Sequence, residues 1–102
     1  MGPSRLGNIE AIRRAVTERK EEIDRLGVAS LAVFGSVARD EAGPESDIDI
    51  LVEFRGAATL TRFMDLKSLL ETAFGRRVDL VTQKALRERL RPVIEKDAVR
   101  VA

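Results

Sequence analysis

Two acidic residues that flank a single isoleucine, Asp47 and Asp49, open an apolar run, and the pair Gly35-Ser36, with ten residues intervening, ends another. Between residues 40 and 53 lie six acidic side chains (Asp40, Glu41, Glu45, Asp47, Asp49 and Glu53) and no Lys or Arg. Successive side chains of a strand point to opposite faces. In residues 47 to 54, Ile48, Ile50, Val52 and Phe54 therefore line one face while Asp47 and Asp49 share the other, their Cα atoms about 6.5 Å apart. Two carboxylates on one face repel each other, and withdrawing them from water without compensation is costly. A hard divalent cation removes the conflict. Mg²⁺ in particular takes one or two carboxylates and completes its shell with water and phosphate oxygens.

Gly35-Ser36 suits the other half of that chemistry. The run Leu31-Ala32-Val33-Phe34 enters Gly35, which permits a tight turn and a close backbone approach, and Ser36 can cap a short helical segment, Val37-Ala38-Arg39. Free backbone N–H groups at a helix start bind phosphate oxygens, with the Ser36 hydroxyl and the Arg39 charge as further donors. Each motif alone has a plainer explanation: a turn for Gly-Ser, a solvent-facing strand end for Asp-x-Asp. Set together at the edges of two apolar strands, they point to a metal and nucleotide-phosphate site.

The elements that must position these residues follow from periodicity. Residues 1–7 read as a flexible leader and 8–102 as a single domain. From Asn8, a candidate N-cap, Ile9, Ile12, Val16, Ile23 and Leu26 predict one helix that stops at Gly27. Strands are predicted over 29–34 and 47–54, separated by the Gly43-Pro44 break. A second helix runs from Thr59 to Phe74, with Leu60, Phe63, Leu66, Leu70, Ala73 and Phe74 as its apolar arc, widened by Met64 and Leu69. Strand three covers 76–82, with Val78 and Leu80 on one face, Asp79 and Val81 on the other. A crossover helix suits a parallel pair, so strands two and three become neighbours and Asp79 can lie beside Asp47 and Asp49. After Thr82, a candidate cap, Leu86, Leu90, Val93, Ile94 and Ala98 keep helical spacing, interrupted at Arg91-Pro92, and 99–102 can form an edge strand. The expected architecture is an α/β domain: a mixed sheet of three or four strands, helices packed on its apolar face, and carboxylates on the opposite, open face.

Composition removes several classes of function. The chain has no cysteine and no histidine, which excludes disulfides, thiolate chemistry, the usual zinc sites and a Ser-His-Asp triad. With 18 basic and 17 acidic residues the net charge is +1, so bulk charge calls for neither nucleic acid nor an anionic membrane. No stretch approaches membrane-spanning length and no apolar signal region opens the chain, so a soluble, cytoplasmic protein is expected. Residues 76–102 hold eight basic side chains against four acidic ones. A solvated helix face explains them, and a surface for an acidic partner or for phosphates is the alternative.

The pattern Gly-Ser, ten residues, Asp-x-Asp, here Gly35-Ser36 with Asp47 and Asp49, resembles the minimal nucleotidyltransferases of the polymerase-beta-like superfamily. The wider strings GSVAR and SDIDILVEF look especially like the MNT proteins, the antitoxin halves of HEPN/MNT toxin–antitoxin pairs. The resemblance runs from about Val28 to the C-terminus and departs from the family at Asp40, where Gly is frequent. It implies Mg²⁺-dependent transfer of AMP from ATP, with Gly35, Ser36 and Arg39 on the nucleotide and Asp47, Asp49 and Asp79 as catalytic, metal-binding carboxylates, two Mg²⁺ ions in all. With no His in the chain, Asp79 is also the candidate general base. For the MNT antitoxins the resemblance implies a protein acceptor, a tyrosine of a HEPN-type ribonuclease toxin. Two alternatives stay open: an antitoxin that neutralises its partner by binding alone, and nucleotidyl transfer to a small molecule or an RNA end.

Overall fold

The computed structural model describes residues 9–35, 47–82, 85 and 98–102. The leader, Asn8, Ser36, Arg39, the Gly43-Pro44 break and the helical stretch with its interruption at Arg91-Pro92 lie outside the described residues. Described are α1 (Ile9–Glu18), α2 (Lys20–Arg25), β1 (Val28–Phe34), β2 (Ile48–Phe54), α3 (Leu60–Phe74), β3 (Val78–Thr82) and β4 (Val99–Arg100). The four strands form one mixed sheet in the order β3-β2-β1-β4. β1 is antiparallel to both β2 and β4, whereas β2 and β3 are parallel, as the crossover helix between them requires.

Alternation along β2 decides which face is the core. Ile48, Ile50 and Val52 are fully buried, while Asp49 and Leu51 are half-buried and Glu53 is exposed. Leu31 and Val33 of β1, Val78 and Leu80 of β3, and Val101 complete the same apolar face. Against it pack Ile12 and Val16 of α1, Ile23 of α2, and Leu66, Leu70 and Phe74 of α3. Thr59 starts α3 by accepting a hydrogen bond from the Arg62 N–H at 3.2 Å. Gly75 ends it in the left-handed conformation, donating to the Glu71 carbonyl at 2.8 Å. The Glu71 side chain then accepts from the Val78 N–H at 3.0 Å and ties the helix end to the start of β3.

Three details differ from the sequence expectation. The single N-terminal helix is broken at Arg19, whose backbone leaves helical geometry and donates to Val16 three residues back at 3.0 Å. No apolar side chain between Val16 and Ile23 ties that turn to the sheet, and the break lets both reach the core. Leu60, expected in the apolar arc of α3, is 75% exposed; it occupies the first turn, beyond the reach of the core that takes Leu66 and Leu70. The face opposite the helices is only partly open. Phe34 and Val81 are buried there in a second small cluster, with Leu51, Ala85 and Ala98 packed against them. The Thr82 hydroxyl accepts from the Ala85 N–H at 3.2 Å, the capping contact expected of it.

The packing sets different costs for two leucines of one helix. Leu70→Ala is expected to destabilise the fold by about 2–5 kcal/mol. Leu60→Ala should stay within about 0.5 kcal/mol of the parent. Urea denaturation followed by circular dichroism checks both, and equal losses would contradict the burial described here.

Candidate active site

β2 lies between β1 and β3, and its first residues meet the ends of both neighbours. Asp49 is the register partner of Phe34 on the antiparallel side and of Asp79 on the parallel side. Register partners point to the same face, so Asp49 and Asp79 stand side by side on the face away from α1, α2 and α3, on strands about 4.8 Å apart. Asp47 immediately precedes β2 as Arg77 immediately precedes β3, and the Ile48 N–H donates to the Arg77 carbonyl at 3.0 Å. By strand alternation Asp47 belongs to the face of Asp49. The three carboxylates thus lie around one corner of the sheet, Asp49 on β2, Asp79 across on β3 and Asp47 just before β2.

Gly35 follows β1 directly and has φ of +74°, a conformation that side-chain-bearing residues rarely adopt. A Cβ atom at that position would collide with the Asp49 carboxylate. The close backbone approach expected of Gly35 is therefore real in one respect: the Asp49 side chain lies against it. Thirteen residues of sequence lie between the two, and the antiparallel pairing of β1 with β2 brings them together.

The surroundings have two characters. On one side Phe34 and Val81 form a buried apolar floor next to Asp49 and Asp79. On the other side the site is wet: Asp79 is exposed and the Asp47 side chain is half exposed. The Arg77 Nε lies 3.6 Å from Asp47 Oδ1, an ion pair rather than a hydrogen bond. Sequence reasoning placed Arg77 inside strand three and within a basic C-terminal stretch, without a site role; in the structure β3 begins one residue later, at Val78. The signal that could have found it is the parallel register, because the residue before Val78 must neighbour the residue before Ile48.

Asp47, Asp49 and Asp79 are the groups that could hold a metal, and their oxygens suit a hard cation. Among the described residues no group of three or more acidic side chains is placed to hold a metal ion, so a cation on the Asp49 and Asp79 carboxylates would have to complete its shell with oxygens from elsewhere. A cavity of about 350 Å³ lies at the opposite end of the sheet, lined by Val16, Lys20, Ile23, Ser30, Arg55 and Val101 among others. It contains none of the candidate residues. No helix among the described residues is long and apolar enough to cross a membrane.

Comparison with known proteins identifies the family and the fold. Residues 10–101 match the model of the nucleotidyltransferase domain family. The protein adenylyltransferase MntA of Thermococcus cleftensis is 38% identical over 94 residues, spanning 91% of this chain and 95% of its own length. A Methanocaldococcus jannaschii protein ascribed protein adenylyltransferase activity is 40% identical over 81 residues, 76% of this chain and 81% of its own. A solved structure described as a minimal nucleotidyltransferase superposes with a TM-score of 0.77 at 36% identity, covering 97% of this chain and 98% of that one. An MntA–HpeT toxin–antitoxin structure shares the fold, with a TM-score of 0.69 at 18% identity over 89% of this chain and 72% of that one.

Two glycines separate the effect of backbone conformation from that of the collision. Gly56 also has positive φ, +76°, but a Cβ there would meet nothing within 4 Å. Gly56→Ala is expected to cost about 1–3 kcal/mol from conformation alone. Gly35→Ala should cost more, because it must also displace the Asp49 carboxylate. Paired urea denaturation curves check the order, and equal losses would mean that Asp49 yields freely.

Proposed function

The chain belongs to the nucleotidyltransferase family, among its minimal, MntA-like members, and from that premise we propose that it transfers AMP from ATP to a hydroxyl of a partner protein. The acceptor is a tyrosine of a HEPN-type ribonuclease toxin, and the modification silences it, so the chain acts as an antitoxin. The observation that carries the reading is the register of β2 with β3, which pairs Asp49 with Asp79 on one face while Asp47 stands two residues away. The adenylyltransferase relatives support the AMP donor. A set of three acidic residues around one strand end has no use in a protein that only binds.

In this mechanism Gly35, Ser36 and Arg39 serve the triphosphate, and Asp47, Asp49 and Asp79 are the carboxylates for Mg²⁺. When bound, Mg²⁺ supplies neutralisation of phosphate charge and acidifies the attacking hydroxyl. Asp79, exposed at the outer edge of the corner, accepts the proton of that hydroxyl as general base. The acceptor oxygen forms a bond to the α-phosphorus, the bond from the α-phosphorus to its bridging oxygen breaks, and pyrophosphate leaves. Asp49, lying against Gly35 and beside the apolar floor, keeps its carboxylate at a fixed place during the step. Phosphoryl transfer of this kind depends on positioning and charge stabilisation more than on covalent chemistry, which a domain of 102 residues can supply.

The test is the intact mass of the HEPN-type protein encoded beside this chain, after incubation with ATP, Mg²⁺ and the chain. A gain of one or more adenylyl units is expected. Asp49→Asn should abolish it, and Asp79→Asn should slow it roughly 10²–10⁴-fold. A stable complex with no mass change would replace this reading with neutralisation by binding alone, for which Leu60 and Met64, 75% and 50% exposed on α3, are the apolar contacts available among the described residues.

A further inference from the structure

Arg77 has no part in the mechanism above, yet the fold delivers it to the candidate site. Its carbonyl is held by the Ile48 N–H at 3.0 Å, which fixes its backbone to the entry of β2, while its side chain is 84% exposed and free to reorient. The guanidinium faces Asp47 at 3.6 Å, and the Asp47 side chain is itself 50% exposed. An exposed pair of this kind contributes little to folding, because water competes for both charges and two side chains must be ordered. Its consequence lies instead in the charge of the corner formed by Asp47, Asp49 and Asp79.

We propose that Arg77 is the exchangeable counter-charge of Asp47: it competes with a divalent cation for that carboxylate and, when displaced, takes up a nucleotide phosphate, so that cation and nucleotide bind cooperatively. The inference rests on the nucleotidyltransferase reading of the site. Without nucleotide, a cation must displace the guanidinium from Asp47 and complete its shell with water. With a nucleoside triphosphate present, phosphate oxygens fill the shell, and the released guanidinium gains a partner whose planar, bidentate recognition it suits better than any other side chain. Each ligand therefore lowers the cost of binding the other, and the coupling must be reciprocal. The arrangement also gives Asp47 a positive partner beside its neighbouring carboxylates when the site holds no metal.

Titration calorimetry of the full chain tests this through two affinities. Mn²⁺ is titrated without nucleotide, and an ATP analogue with a non-cleavable α–β bridge is titrated at saturating Mg²⁺. Arg77→Ala is expected to bind Mn²⁺ roughly two- to fivefold more tightly, the range of an exposed ion pair removed as competitor. The same variant should bind the analogue roughly fivefold or more weakly. Arg77→Lys, which keeps the charge but not the planar fork, should restore the Mn²⁺ affinity of the parent and only part of the nucleotide affinity. A merely structural role moves both affinities in one direction or neither, and that result overturns the proposal. If the parent binds Mn²⁺, Asp49→Asn abolishes binding and Arg77→Ala changes nothing, the role of Arg77 fails alone. If the parent does not bind Mn²⁺, or Asp49→Asn binds it as tightly, the metal site and this inference fail together.

Discussion

A slip of one residue between β2 and β3 would turn Asp49 toward the core and bring Ile48 and Ile50 into water, since side chains alternate with a period of two. The parallel register of these strands therefore carries the site and the core at once. It is held from the core side, where Ile48, Ile50 and Val52 are fully buried against Leu66, Leu70 and Phe74. The Glu71 carboxylate on the Val78 N–H and the Thr59 cap add local control at the two ends of the connecting crossover. Hydrophobic burial on one face thus positions carboxylates on the other.

The opposing cost is electrostatic. Three carboxylates at one end of a sheet repel one another, and the apolar floor of Phe34 and Val81 keeps water from screening them on one side. The same low-dielectric floor strengthens the attraction of the corner for a cation. Exposure of Asp79 and Asp47 on the outer side keeps the charged forms hydrated. A site half on an apolar floor and half in water can hold several carboxylates and still admit a charged ligand. Arg77 meets part of that charge from a neighbouring strand without being built into the core.

Much of this was legible from local sequence. Alternation in Ile48–Phe54, the helical spacing of Leu66, Leu70 and Phe74 and the Thr82 cap each depend on residues a few positions apart. The parallel placement of Asp79 beside Asp49 followed from the crossover rule, which needs only the order of elements and the length of the connection. The break at Arg19 and the exposure of Leu60 were not legible, because periodicity records which residues are apolar and not how far the opposing surface extends.

The sequence by itself determined strands β1 to β3, helix α3, the mixed sheet and the face on which Asp49 and Asp79 stand, because hydrophobic period is a short-range property of a chain. Only the tertiary structure decided that Asp49 lies against Gly35, that Arg77 faces Asp47, and that Ala85 and Ala98 help to cover part of the carboxylate face. Those contacts join segments from different strands, and their distances depend on the register and twist with which the strands pair. No local pattern encodes that register; it is set by how the whole apolar face fits against its helices.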